Sequence, residues 1–396
     1  MMRPLIWILL IFFGEGISQP NANFVVGQPN FVSDTTGVSS TNLAFPTGIV
    51  IDSSGGIYSA DSANNRILYF PKGQVVATFL YGQPNMDSNQ QNAGGLSASS
   101  LLIPEGIALD TNENLFCADA ANNRVLMYPK GSNVASFVIG QGGSFVSSVA
   151  NLGGISASSL NRPFGITLDV ANGLYVVDSL NNRVLFYTSG STVASRCYGQ
   201  PSFVTASGNA GTSASSLSGP TGVVVDNFGN VYISDGDNRV LVYSGTSTTA
   251  VKVIGQGGSF TTGVCGLSAT GLCDVRGVAV DSNLNLYVAD YANFRVLMFP
   301  KTSLTAETVY GQNSFTSAQM NSGGISAHSI AAAEFMAIDV NNTLYIADGG
   351  NARLLCFGCT GSGVTTTTGS ATTKPAFAYN LVPQVLLLGL LLFLTY

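Results

Sequence analysis

Eighteen charged residues recur at fixed spacing, and carboxylates set beside guanidinium groups can do one of two things. Aspartates stand at Asp52, Asp110, Asp169, Asp226, Asp281 and Asp339. Nine residues after each comes a second: Asp61, Asp119, Asp178, Asp235, Asp290 and Asp348. An arginine follows five residues later at Arg66, Arg124, Arg183, Arg295 and Arg353, and four later at Arg239. A ring of carboxylates suits a cation such as calcium. A carboxylate and a guanidinium across one hairpin suit a planar two-point contact that locks the turn. The set takes 12 of the 21 acidic residues and 6 of the 15 basic ones. A ligand site needs one constellation, not a copy in every repeat, so each couple is expected to brace its own hairpin. No acidic cluster breaks the repeating pattern, and neither a metal site nor a cofactor is expected.

Other catalytic material is thin. The only histidine, His328, sits in a loop whose other copies carry small polar residues, and reads as an exposed loop residue. One histidine cannot build a multi-histidine zinc site. No Gly-x-Ser-x-Gly stands on a strand-to-helix turn to present a serine nucleophile. Charged residues make up 9% of the chain and the net charge is −6, so no basic face is available for nucleic acid. Among six cysteines, Cys265 and Cys273 flank one loop and form the best disulfide pair, and Cys356 with Cys359 could close the last strand. Cys117 and Cys197 align with apolar strand residues of other copies and are expected to be buried free thiols.

The elements that must position these residues follow from the repeat. In the first copy a short apolar strand, Gly48 to Ile51, ends in Asp52; a second, Ile57 to Ala60, ends in Asp61; a polar turn leads to Arg66 and a third strand, Ile67 to Phe70. A fourth strand runs into Gly-Gln, as at Gly82 and Gly140. Asn-Gly and Pro-Lys-Gly turns join the strands. Six copies recur at 55 to 59 residues. Four antiparallel strands repeated six times make an all-β, six-bladed propeller. The last repeat has only three strands, and Phe24-Val25-Val26-Gly27-Gln28 matches the missing fourth, so the N-terminal strand is expected to close the last blade. Between Gly-Gln and the next repeat lies a polar excursion anchored by one Leu or Ile, at Leu43, Leu101, Leu160, Leu217, Leu272 and Ile330.

The run of strand, Asp, Asn and Arg, as in Tyr58 to Asp61 with Asn64, Asn65 and Arg66, resembles the NHL repeat. The resemblance spans about Phe24 to Phe357 and departs from the pattern in its long excursions and in Phe294, where Asn is expected. It implies a binding platform more often than an enzyme. Peptide-amidating lyases share the resemblance, but need several histidine ligands that this chain lacks.

The chain reads as a signal peptide (1–18), the propeller (19–358), a Thr/Gly/Ser-rich stalk (359–380) and an apolar tail (381–396). Sixteen helical residues reach about 24 Å, short of a hydrocarbon core of about 30 Å. With Gly369 and Ser370 as candidate lipid-attachment residues upstream, the tail reads as a GPI signal, the alternative being a short membrane span. Asn341-Asn342-Thr343 is an N-glycosylation sequon. The expected protein is a lipid-anchored platform on the extracellular face of the plasma membrane, binding another protein or a glycan. The alternative is a hydrolase or lactonase using the central channel. Leu180, Asp237, Tyr291 and Phe294 break the Ser/Ala/Asn pattern of the turns after the second strands and are the candidate binding residues.

Overall fold

The computed structural model of the protein describes residues 19–208 and 211–359. Its strands form six four-stranded antiparallel sheets. In the first blade the order is Pro46–Ile51, Ile57–Asp61, Arg66–Phe70 and Phe79–Tyr81, each strand paired with the next. The first strands of successive blades pack on one another in a closed circuit and so form the inner ring. No helix of the described residues is long and apolar enough to cross a membrane.

The local sequence explains the blades. In five of them a single turn of 3-10 helix, such as Ser62–Asn64, follows the second strand and ends in a left-handed residue, usually Asn. Asn tolerates that conformation better than other side chains do. At the other end of each first hairpin the aspartate of the first set folds an Asx turn: Asp52 Oδ1 accepts from the Ser54 and Gly56 amides at 2.8 Å, and Asp110 and Asp169 repeat the arrangement.

The inner ring closes tightly because each first strand but the last carries a glycine at its point of nearest approach. A Cβ on Gly106 would lie 2.6 Å from the Phe164 carbonyl oxygen, and one on Gly277 would lie 2.6 Å from that of Glu334. Blade six has Phe335 instead. Its ring crosses the axis and meets Phe164 of the opposite blade, centroid to centroid, at 5.7 Å. Apolar cores fill the wedges between neighbouring blades, and the six excursion anchors from Leu43 to Ile330 are all buried at 0–1% exposure.

The ring is closed by the chain start. Phe24–Val26 pairs with the third strand of the last blade, with Phe24 opposite Cys356 and Val26 opposite Leu354. Val25 and Val26 are buried. Asn23 seals the seam: its Oδ1 accepts from the Cys359 amide at 3.0 Å and its Nδ2 donates to the Cys359 carbonyl at 2.6 Å. Burying three apolar side chains of this size is worth several kcal/mol in sum, and without the strand an edge is left open. Deleting residues 19–28 is expected to lower the melting temperature of the whole propeller by roughly 10 °C or more. Unchanged melting by calorimetry would contradict closure by this strand.

Candidate functional site

The repeating Asp–Arg couples are fully buried, with 0% side-chain exposure on both partners. Asp119 shows the pattern. Its Oδ1 accepts from the Leu102 amide at 2.8 Å, and its Oδ2 accepts from Asn122 Nδ2 at 2.8 Å and Arg124 Nε at 2.7 Å. The planar contact through both carboxylate oxygens expected from the sequence forms in none of the six couples, because Oδ1 accepts a backbone amide in every blade, from Ala44, Leu102, Asn161, Ser218, Cys273 and Ala331 in turn. The arginine meets Oδ2 alone, through Nε in five blades and with both Nε and Nη2 of Arg239 at 2.8 Å from Asp235 Oδ2 in blade four. The arginine's other nitrogens then leave the hairpin. Arg124 Nη1 donates to the Phe145 carbonyl at 2.6 Å, and Nη2 to the Ser97 and Ser100 carbonyls at 2.9 and 3.0 Å. Those carbonyls belong to the excursions before and after the blade, so each arginine clamps two loops as well as its own turn. Arg66, Arg183, Arg295 and Arg353 do the same. No carboxylate oxygen is left over for a cation. Arg124→Met strands a buried Asp119 carboxylate and should cost about 3–5 kcal/mol, read as a shift in the denaturant midpoint. A loss within the range of a surface pair, about 0–1 kcal/mol, would show that the clamp is dispensable.

The pattern breaks at one place. Just before the ring glycine, the first strands carry Thr47, Glu105, Phe164, Thr221, Arg276 and Glu334 in blade order. These residues ring the axis near the face that carries the excursions, on the mouth side of Phe335. Glu105 and Glu334 are buried at 5% and 3% exposure. The expectation that no acidic cluster interrupts the repeats fails here: two carboxyls outside the ladder share one mouth. Burial, with Glu334 close by, pushes the Glu105 carboxyl up to about 8, against the pull of Arg162 and Arg276. Burial likewise pushes Glu334 up to about 7. Glu105 Oε2 and Arg276 Nε have no hydrogen-bond partner. Arg276 Nη2 pairs with Asp274 at 3.2 Å, and its guanidinium lies over the Tyr291 ring at 4.6 Å. Among the described residues no group of three or more His, Cys, Asp or Glu side chains is placed to hold a metal ion.

Of the four candidate binding residues, the structure brings one into this mouth. Tyr291, half-buried, leans onto Arg276. Phe294, also half-buried, holds the left-handed position at φ 54° that Asn fills in four other blades. Asn65 there takes the Ile103 amide at 3.0 Å and donates to the Asn89 carbonyl at 3.1 Å, bonds a phenyl ring cannot make. Asp237 accepts from Thr212 Oγ1 at 3.0 Å, and Leu180 is 39% exposed on its own turn. Sequence reasoning missed Glu105, Glu334 and Arg276. The available signal was charge at a position flanked by apolar strand residues and glycine.

The remaining expectations divide. Cys265–Cys273 and Cys356–Cys359 are disulfides, and Cys117 is a buried free thiol. Cys197 is free but only half-buried, because its strand is the outermost of its blade. His328 is half-buried rather than exposed, with Nδ1 at 3.2 Å from Asn21 Oδ1. Asn341 is exposed on the tight-turn face, lining a cleft of about 580 Å³ between blades six and one. Residues 1–18, expected to be a signal peptide, the candidate lipid-attachment residues Gly369 and Ser370, and the apolar tail lie outside the described residues.

The raised carboxyls give the mouth a pH signature. Between the ordinary value of 4.5 and about 8, the folded state keeps a proton on Glu105 that the unfolded chain has released. Native stability therefore falls as pH rises through that window, and the penalty is complete above it. Glu334 adds the same sign up to about 7. Glu105→Gln keeps the shape and removes the titration. Its melting temperature should gain on wild type as pH goes from about 5 to about 8. A gap that stays constant with pH would mean that Glu105 is ionised in the native state.

Comparison with known proteins agrees with the geometry. The NHL repeat is matched over residues 272–299. No curated protein matches the chain. Among solved structures, a structural-genomics protein of unknown function from Bacteroides thetaiotaomicron is similar at 16% identity, over 85% of this chain and 75% of that one, with a TM-score of 0.57. A streptogramin B lyase is similar at 13% identity over 78% of each chain, with a TM-score of 0.47. A catalytically inactive virginiamycin B lyase from Staphylococcus aureus with quinupristin matches at 14% identity, over 80% and 83% of the two chains, at 0.47. At such identities the likeness speaks for the fold alone. This chain is a six-bladed β-propeller of four-stranded antiparallel blades, with an NHL repeat over residues 272–299.

Proposed function

We propose that the protein is a lipid-anchored platform at the cell surface that binds an extracellular protein or glycan on its excursion face. One observation carries this reading: departures from a strict repeat gather at the axial mouth of that face, in Glu105, Arg276, Glu334 and Tyr291, with Phe294 on the same blade-five turn. Two further features support it. Phe164 and Phe335 close the axis behind the mouth, leaving a shallow rather than a through site. The chain leaves the propeller at Cys359 on the tight-turn face, beside Asn23, so a tether there would leave the excursions pointing outward. Phe294 in a conformation that costs about 1 kcal/mol or more for a non-glycine residue is a local sacrifice of the sort found at functional sites.

A propeller hydrolase or lactonase is the second reading, favoured by two carboxyls raised toward neutrality in one mouth, as acid–base catalysis requires. One experiment addresses both. Protein freed from expressing cells by phosphatidylinositol-specific phospholipase is labelled and applied to intact cells. Tyr291→Ser with Phe294→Asn should abolish capture while raising or preserving the melting temperature, since Asn restores the turn's usual residue. Retention on cells after the phospholipase contradicts the lipid anchor. Capture untouched by the double change contradicts the mouth as the docking site. Ester or lactone turnover that Glu105→Gln abolishes would replace the platform by the enzyme.

A further inference from the structure

We propose that the axial mouth takes the adjacent hydroxyl groups of a neutral carbohydrate end group, a ligand class that rests on the platform reading. The argument starts from two atoms. Glu105 Oε2 is an acceptor without a partner on a residue 5% exposed, and Arg276 Nε is a donor without one. They stand on blades two and five, opposite each other in a six-membered ring. Leaving such groups unpaired costs about 1–3 kcal/mol each, and native structures rarely accept that cost. The ladder residues make the contrast, since Asp119 and Arg124 spend all their polar atoms on protein partners. The mouth is short of one acceptor and one donor on facing walls. A hydroxyl is both at once, and neighbouring hydroxyls on a pyranose present that pairing twice.

Charge narrows the class. The mouth gathers Arg162 and Arg276 against Asp274, Glu105 and Glu334, with Arg276 already paired to Asp274 at 3.2 Å. With Glu105 holding its proton, the two guanidinium groups stand against Asp274 and a Glu334 carboxyl close to its own titration, which leaves the mouth near charge balance and suited to a neutral polar ligand that meets donors and acceptors together. The closed axis adds the second half of sugar recognition. Phe164 and Phe335, 5.7 Å apart, offer an apolar floor to the C–H face of a ring whose edge carries the hydroxyls.

The test is saturation-transfer NMR on the full protein released from cells, titrated with the methyl glycosides of glucose, galactose, mannose and N-acetylglucosamine. At least one should bind. Glu105→Leu and Arg276→Met should each weaken it about tenfold, the loss of one hydrogen bond to a charged or buried group, while Val340→Ser on the opposite face leaves it unchanged. Melting curves confirm that each variant is folded, and a glycoside-induced rise in melting temperature gives a second readout should one of them be unstable. Binding that ignores both substitutions places the site elsewhere and overturns the assignment. If no glycoside binds, and only ordered water occupies the mouth in crystals soaked with them, the ligand class is wrong; continued capture by cells would then leave the platform standing. Loss of capture as well would remove both.

Discussion

Everything in this propeller leans on a carboxylate and a guanidinium buried together at the end of each central hairpin. Taken as a pair they are an unpromising source of stability. Burial outweighs the neighbouring arginine and pushes the carboxyls of Asp61, Asp119, Asp178 and Asp290 above their ordinary value, as expected when desolvation exceeds the Coulombic gain. Their value is in what they organise. The aspartate fixes a backbone amide from the preceding excursion, and the arginine fixes carbonyls on both sides of its blade. Loops rich in Ser, Gly and Thr, which have little apolar surface beyond one buried Leu or Ile each, are thereby held without a core of their own.

The same economy shows at the axis. Glycine lets the first strands close to backbone contact, so the ring is narrow and its geometry repeats in five blades. Replacing the sixth glycine with Phe335 turns the residual bore into a floor. A tight ring of this sort depends on being complete, and completion falls to three residues from the far end of the chain. Folding therefore cannot finish until the first strand meets the last blade, a contact separated by about the whole domain and slow to find by loop-closure arguments.

Much of this was legible beforehand, and the reasons are specific. The ladder announced itself because the same physics was written six times, and the closing strand because Phe24 to Gln28 repeats a pattern missing from the other end. The single-point geometry of the couples was not legible, because the amide that occupies Asp119 Oδ1 comes from Leu102, whose position relative to the turn is set by the folded excursion. The mouth was hidden for the opposite reason. Thr47, Glu105, Phe164, Thr221, Arg276 and Glu334 share a position but not a chemistry, and a site assembled from one residue per blade leaves no motif along the chain. Only the closed ring makes neighbours of Glu105 and Glu334, residues 229 apart in sequence.

The arginine clamps have a consequence for how such a surface can change over generations. They grip carbonyl oxygens, and every amino acid supplies one. Outside the buried Leu or Ile anchor and a few Gln and Asn residues that bond the loop backbone, side chains along the excursions are therefore free of the duty of holding the loops in shape. Val146 and Val204 stand 74% and 69% exposed, each beside a carbonyl that an arginine grips, those of Phe145 and Phe203. A substitution at such a tip alters what the rim presents without altering where it is. The molecule separates the part that must stay constant from the part that can drift, so new specificities can be sampled on a frame that does not have to be refolded for each.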